Sequence, residues 1–169
     1  MYILGVNVFH GDSAAALIHD GVLVAAVEEE RFNRIKHWAG FPAESIRYCL
    51  AHAGIAARDL DHVAFSSNPG ANLGRKVLFT LKNSPSLKSV LGRLDRQARA
   101  FGLRDNLAKA LGCRATDIRA RIHNIEHHAA HMGAAFLLSP FDRAAIMSLD
   151  GMGDFVSLST ASGCALIAA

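Results

Sequence analysis

The first 28 residues contain three apolar segments of strand length, separated by short polar turns. They occupy residues 2–8, 13–19 and 22–28, and the dipeptide Asp20-Gly21 between the last two is typical of a two-residue hairpin. The sequence therefore predicts that three antiparallel strands open the protein.

The spacing of apolar residues then changes to that of a helix. In residues 43–53 they recur every three or four positions, and Gly54 follows as a stop signal. Further along, the pattern predicts a strand at 62–66, a helical insert broken by turn residues at about 71–115, and a strand at 119–125.

The final part of the chain has the pattern of one helix and one hairpin. Residues 126–138 are predicted to form a helix that ends before Pro140, and residues 144–149 and 155–160 are apolar segments of strand length. The sequence DGMGD at 150–154 predicts a turn between these two strands.

The two predicted hairpins share a design, in which an apolar strand runs into a small turn with Asp and Gly and another strand leaves it. Sugar kinases, actin and related ATPases are built from two such halves, with nucleotide phosphates held between the hairpin turns. The order of elements therefore resembles the actin-like ATPase (ribonuclease H-like) fold. We expect an α/β protein whose residues 1–142 form a first lobe with a mixed five-stranded sheet, while residues 143–169 form the truncated start of a second lobe.

Composition limits the class of protein. The chain has 169 residues, of which 51% are hydrophobic and 20% charged, as in an ordinary globular protein with one core. Its uncharged runs are shorter than the roughly 20 residues of a membrane helix, and the apolar segment at 2–8 is too short for a signal-peptide core. We therefore expect a cytoplasmic protein without a membrane span. Three widely spaced cysteines indicate reduced thiols.

Positive charge is concentrated in the middle of the chain. Between residues 75 and 121 there are twelve Lys or Arg and three Asp. A basic stretch can bind nucleic acid or an anionic ligand, but this one has few aromatic residues and no recognisable nucleic-acid motif. A solvated helical face is the favoured interpretation, and a nucleic-acid partner is not expected.

Three histidines fall within the six residues EHHAAH at 126–131. Positions four apart lie on one helix face, so His127 and His131 can aim their imidazoles at one point, whereas His128 is turned about 100° away. Such a pair is half of a site for Fe, Zn, Ni or Cu. Glu126 lies outside the histidines rather than between them, which argues against a zinc metalloprotease. The alternative, two histidines along a polar helix edge, stays open.

Two predicted turns carry further candidate residues. The turn at 150–154 can bring backbone N–H groups to a phosphate or a carboxylate to a metal, or it can be a plain hairpin turn. In the first hairpin, His10 can bind an anion and Asp12 can act as a base, although simple turn chemistry also explains both. The segment VEEERFNRIKHW at 27–38 can present basic groups to a phosphorylated ligand or form surface ion pairs.

Two long stretches together point to a family. GVNVFHGDSAAALIHDGVLVAAVEEERFNRIKHWAGFPAESIRYCL and IEHHAAHMGAAFLLSPFDRAAIMSLDGMGD closely resemble the N-terminal region of the O-carbamoyltransferases of nodulation-factor and antibiotic biosynthesis. The resemblance covers residues 2–160 and implies the actin-like ATPase fold. The family's relatives include the tRNA threonylcarbamoyl-adenosine synthesis proteins, which share the HxxxH helix.

The resemblance also implies roles for individual residues. His127 and His131 would ligate a divalent metal, usually Fe²⁺, that contacts nucleotide phosphates. Asp12 would lie close to the carbamoyl group and the acceptor hydroxyl as a base, with His10 beside it. The residues against the phosphates of ATP or carbamoyl-adenylate would be Asp150, Gly151, Gly153 and Asp154.

The implied reaction has two steps. Carbamoyl phosphate and ATP give a carbamoyl-adenylate, a step for which Mg²⁺ is an optional further cofactor. The carbonyl of the carbamoyl-adenylate is then attacked by a hydroxyl of a small-molecule acceptor. Family members are several hundred residues long, so we expect a third metal ligand, an aspartate, and the rest of the second lobe to come from a C-terminal part that acts as partner. Two alternatives stay open. The first is a non-catalytic truncated fragment that binds nucleotide or a partner. The second is a relative of the tRNA threonylcarbamoyl-adenosine synthesis proteins, and the basic insert is the only feature that supports it.

Overall fold

The described part of the chain forms two compact units. The first consists of residues 1–66 and 102–124, and the second of residues 125–164. Within these residues, no helix combines the length and the apolar character that a membrane crossing requires. The boundary between residues 142 and 143 stays a prediction. The computed structural model describes residues 1–9, 11–66, 102–153 and 156–164.

A mixed five-stranded sheet forms the first unit, as predicted. The strand order is β3-β2-β1-β4-β5. β2 pairs antiparallel with both β1 and β3, whereas β4 pairs parallel with both β1 and β5. The α/β class and the three antiparallel opening strands are thus confirmed. The strands are β1 Tyr2–Asn7, β2 Ala14–His19, β3 Val22–Glu28, β4 His62–Phe65 and β5 Arg121–Asn124.

Three helices belong to the first unit: the single turn α1, Glu30–Asn33, then α2, Ala43–Ala53, and α3, Leu103–Leu111. α2 packs on β2 and β3, and α3 packs on α2. α2 ends at Gly54, whose φ of 67° is the left-handed conformation that glycine adopts most easily, so the predicted stop is confirmed.

The core of the first unit follows the periodicities of its elements. Alternate strand residues and helix residues three or four apart are buried, and each large apolar side chain contributes about 1.5–3 kcal/mol to the free energy of folding. Its largest strand and helix contributors are Leu4, Val6, Leu17, Val63, Phe65, Ile46, Leu50, Leu103 and Leu107.

The second unit contains one helix and one hairpin. Helix α4 spans His127–Leu137, and the hairpin consists of β6, Arg143–Gly153, and β7, Val156–Cys164. The predicted helix and strands are present, but the predicted turn at 150–154 is wrong for residues 150–153, the part of it that the structure describes. β6 continues to Gly153, because a shift in strand register after Leu149 takes up the extra residues as a bulge instead of ending the strand.

The predicted basic insert is covered only in part. Its residues 71–101 lie outside the described residues, and so do His10 and Asp154. The described remainder contains α3 and a single 3-10 turn, Ala115–Asp117.

Candidate metal centre and first hairpin turn

The N-terminus of α4 presents the histidines. Glu126 caps the helix, since its side chain accepts a hydrogen bond from the Ala129 N–H at 2.8 Å. The helix therefore begins at His127, and His131 follows one turn later on the same face. The predicted convergence of the two histidines is what the helix produces.

His127, His131 and Asp150 form a compact cluster in the second unit. The His127 and His131 Nε2 atoms lie 3.1 Å apart, and Asp150 Oδ2 lies 3.9 Å from His131 Nε2 and contacts His127 Nε2 directly. One ligand atom from each residue lies within 4.8 Å of the others. The resemblance implies a phosphate contact for Asp150 and a third metal ligand from a C-terminal part, whereas the position of Asp150 beside the two histidines makes it a candidate for that third ligand within this chain.

The donor set can be tested against a metal by its chemistry. Two imidazole nitrogens and one carboxylate oxygen suit divalent transition metals, and with open positions they are typical of non-haem Fe²⁺. His131 is 58% exposed and Asp150 39%, so further ligands have access. The residues present therefore fit a divalent metal of the kind that the sequence led us to expect.

A buried polar contact holds the helix and the strand together beside the cluster. His128 is fully buried, and its Nδ1 lies 2.8 Å from the Ser148 hydroxyl, which is also buried. Ser148 contacts His128 and Asp150 contacts His127, so both side chains of β6 face the start of α4. The His128–Ser148 contact thereby fixes Asp150 opposite the first turn of α4. In the helix pattern His128 is turned away from the paired histidines, and nothing in the sequence predicts its contact with Ser148.

Close packing of the hairpin on α4 supports the same arrangement. A Cβ atom at Gly163 would lie only 2.9 Å from the Phe136 ring and 3.0 Å from the Ile146 side chain. Glycine is therefore needed where β7 approaches the helix. One sequence signal is consistent with this geometry: Ile146 and Ser148, at alternate positions of β6, both face α4.

An open depression adjoins the cluster. It has a volume of ≈ 310 Å³ and lies between α4 and β6. Polar and apolar side chains both line it next to the candidate metal ligands. Its lining residues are His131, Ala135, Met147, Ser148, Leu149 and Asp150.

The other predicted phosphate contacts are in β6 or beyond it. Gly151 and Gly153 belong to the bulged end of the strand, which leaves their backbone groups as the means of contact. Asp154 lies outside the described residues.

Asp12 lies in the first unit, in the turn between β1 and β2. Its φ is 64°, its carbonyl accepts a hydrogen bond from the Asn7 side chain at 3.2 Å, and its Oδ1 lies 3.0 Å from His37 Nδ1. The carboxylate is 53% exposed. Asp12 is thus accessible and paired, while its predicted neighbour His10 lies outside the described residues. The segment at 27–38, predicted to present basic groups or surface ion pairs, contains His37, but no sequence pattern predicts its contact with Asp12.

Comparison with protein families gives one match that spans most of the chain. The model described as Carbamoyltransferase N-terminus matches residues 2–164.

Two of the relatives are much longer than this chain. The uncharacterized protein sll1178 of Synechocystis sp. is 40% identical over 169 residues, which cover 96% of this chain and 27% of that protein. Nodulation protein NolNO of Sinorhizobium fredii is 39% identical over 151 residues, covering 89% of this chain and 21% of that protein. The chain therefore spans about a quarter of the length of these relatives.

Solved structures with some similarity include YeaZ from Pseudomonas aeruginosa. It has a TM-score of 0.41 and 16% sequence identity, covering 95% of this chain and 66% of that one. A TM-score of this size does not establish a shared fold.

Proposed function

The chain belongs to the carbamoyltransferase family, whose N-terminal region it matches over residues 2–164. We propose that it forms the metal-binding and acceptor-activating part of an ATP-dependent O-carbamoyltransferase. The enzyme would transfer a carbamoyl group from carbamoyl-adenylate, made from carbamoyl phosphate and ATP, to a hydroxyl of a small-molecule acceptor. The observation that carries the proposal is the cluster of His127, His131 and Asp150. We infer the actin-like ATPase fold from the same family membership.

His127, His131 and Asp150 would hold the metal, with Fe²⁺ as the first candidate. A bound divalent metal supplies positive charge that neutralises nucleotide phosphates. Two contacts hold the elements that carry the three ligands. Glu126 caps the helix with the histidines, and His128 forms a hydrogen bond with Ser148 in the strand that carries the aspartate. The backbone of Gly151 and Gly153 would lie against the phosphates, as glycine permits close approach.

Asp12 is the proposed base. Its carboxylate would take the proton of the acceptor hydroxyl while the hydroxyl oxygen bonds to the carbamoyl carbon. AMP leaves with the electron pair of the C–O bond that breaks, so the products are the carbamate ester, AMP and one proton. The exposure of Asp12 is compatible with this role, because the acceptor must reach it from solvent.

The chain would work together with the C-terminal part that its relatives have. The test is to combine the 169-residue chain with the C-terminal part of the Synechocystis relative, supply carbamoyl phosphate, ATP and a panel of alcohols, and measure AMP and carbamoylated product. We expect product with the wild-type chain and a loss of at least about a hundredfold in kcat for Asp12→Gly, which keeps the left-handed backbone.

His131→Ala should also remove activity, whereas His52→Ala, at an exposed position of α2, is the matched control and should not. Absence of product from a folded wild-type complex with every alcohol would contradict the proposed function. It would favour instead a non-catalytic module that binds nucleotide or a partner.

A further inference from the structure

Two loops of the first unit meet at the turn that follows β1. The Ser13 N–H donates to the Trp38 carbonyl at 3.0 Å, the Ser13 hydroxyl donates to the Gly40 carbonyl at 2.8 Å, and the Phe9 N–H donates to the same carbonyl at 3.3 Å. Ser13 is only 1% exposed, so these bonds are shielded from water. They fix residues 38–40 to the turn that carries Asp12.

The same loop has one further internal contact. A Cβ atom at Gly40 would lie 2.6 Å from the Trp38 ring, so the indole packs directly over the glycine backbone. Before the loop, Lys36 forms an ion pair with Glu30 at 2.8 Å, but Lys36 is 81% exposed and such a pair contributes little. His37 lies between this ion pair and Trp38.

The backbone at both ends of the Asp12–His37 pair is unusual. Asp12 has a φ of 64° and His37 a φ of 54°, and both values lie in the left-handed region, which aspartate and histidine adopt more readily than most residues other than glycine. Between these two residues, His37 Nδ1 lies 3.0 Å from Asp12 Oδ1.

The pair itself adds little to stability. His37 is 80% exposed and Asp12 53%, and exposed pairs of this kind contribute little to the free energy of folding. A buried framework with two left-handed residues thus holds an exposed carboxylate and imidazole together. Because the Asp12–His37 contact adds little to stability, a role in the reactivity of the Asp12 carboxylate explains it better.

We propose that His37 is a positioning residue for Asp12, an inference that rests on the proposed function. With its proton on Nδ1, the imidazole donates to Oδ1, restricts rotation of the carboxylate and keeps it as an acceptor for the proton of the alcohol. His37 makes and breaks no covalent bond. The acceptor oxygen bonds to the carbamoyl carbon, AMP leaves with its electron pair, and the hydroxyl proton moves to Asp12.

Two variants of His37 isolate the donated hydrogen bond. Asparagine and aspartate have nearly the same shape, and both tolerate a positive φ. His37→Asn keeps an N–H donor near the place of Nδ1, whereas His37→Asp has no donor and sets a second carboxylate beside Asp12. His52→Asp, on the exposed face of α2, repeats the charge change away from the pair.

The first measurement is kcat and KM for the acceptor, with the chain combined with its C-terminal part. We expect His37→Asp to lower kcat at least about tenfold with KM within about twofold, and His37→Asn to retain most of kcat. Equal kcat values for His37→Asp and His52→Asp would overturn the inference while leaving the proposed function intact.

The second measurement does not need activity. Long-range ¹H–¹⁵N NMR of the 169-residue chain reports which ring nitrogen of His37 carries the proton. We expect the proton on Nδ1 in the wild type and a different tautomer ratio in Asp12→Gly. An unchanged ratio would overturn the inference even in an active enzyme. A complex that makes no product with the wild-type chain would refute the proposed function and, with it, any catalytic role for the pair.

Discussion

Glu29 provides a quantitative test of how the first unit is held together. It is the middle residue of the run Glu28, Glu29 and Glu30, and it is only 5% exposed. Its Oε2 accepts hydrogen bonds from the Ser45 N–H at 2.9 Å and the Ser45 hydroxyl at 2.8 Å, and its Oε1 accepts one from the Glu44 N–H at 3.1 Å. The side chain therefore acts as the cap that the first turn of α2 lacks in its own sequence.

The replacement Glu29→Ala leaves three donors at the start of α2 without this acceptor. Each hydrogen bond to a charged group contributes about 1.5–3 kcal/mol, but removing the carboxylate also removes the cost of burying it. We therefore expect a net loss of about 3 kcal/mol in the free energy of unfolding, less than the sum of the three bonds. Glu29→Gln keeps one acceptor oxygen and should fall between the wild type and the alanine variant.

Urea unfolding followed by circular dichroism measures this loss. The matched control is Glu28→Ala, because Glu28 is the neighbouring glutamate and is exposed at the end of β3. Its effect should stay within about 0.5 kcal/mol. If Glu29→Ala and Glu28→Ala unfold at the same urea concentration with equal slopes, the carboxylate does not hold α2 and the reasoning is wrong.

Three further predictions concern other parts of the chain. Burial raises the pKa of the Cys49 thiol, so alkylation in the native protein should be at least about a hundredfold slower than in urea, by mass spectrometry; equal rates would contradict this. A hydrogen bond from Arg114 lowers the pKa of Asp117 below its usual 3.8. The Arg114–Asp117 interaction therefore stabilises the fold above pH 3.8, and this contribution is lost as the pH falls through the depressed pKa. The difference in the free energy of unfolding between wild type and Asp117→Asn should therefore vanish in acid, and a difference that does not change with pH would refute this prediction. The apolar side chains of Met147 and Leu149 are 64% and 70% exposed. The chain alone should therefore self-associate in sedimentation experiments, and Leu149→Thr should weaken this association. A monomer at every protein concentration would contradict the prediction.

Local patterns in the sequence predict most of the described secondary structure. The three opening strands and α2 with its stop at Gly54 follow from spacing that each segment carries by itself. The pairing of His127 and His131 follows in the same way, because four residues of helix place them on one face. Each of these features depends on residues that are close in sequence.

The features that the sequence did not predict depend on distant residues. Asp150 joins the histidines because β6 packs against α4, which no local pattern predicts, and nothing within DGMGD predicts that the strand continues with a bulge. His37 meets Asp12 across 25 positions through two loops with left-handed residues. Only one of three consecutive glutamates, Glu29, is buried, and the donors of α2 decide which.

The metal content of the 169-residue chain tests the central claim most directly. The chain would be purified without oxygen, loaded with Fe²⁺ or Zn²⁺ by equilibrium dialysis and analysed for bound metal. The variants are Asp150→Asn, the double variant His127→Ala with His131→Ala, and His52→Ala as the control, each checked for folding by circular dichroism.

We predict about one metal ion per wild-type and control chain. Replacing residues that only hydrogen-bond to metal ligands typically lowers metal affinity by about 10–100-fold. Replacing a ligand itself, as in Asp150→Asn, should therefore weaken binding at least about tenfold, and the double variant should abolish it. A folded wild-type chain that binds no metal, or binds it as tightly after both sets of replacements, would contradict the assignment of His127, His131 and Asp150 as a metal centre.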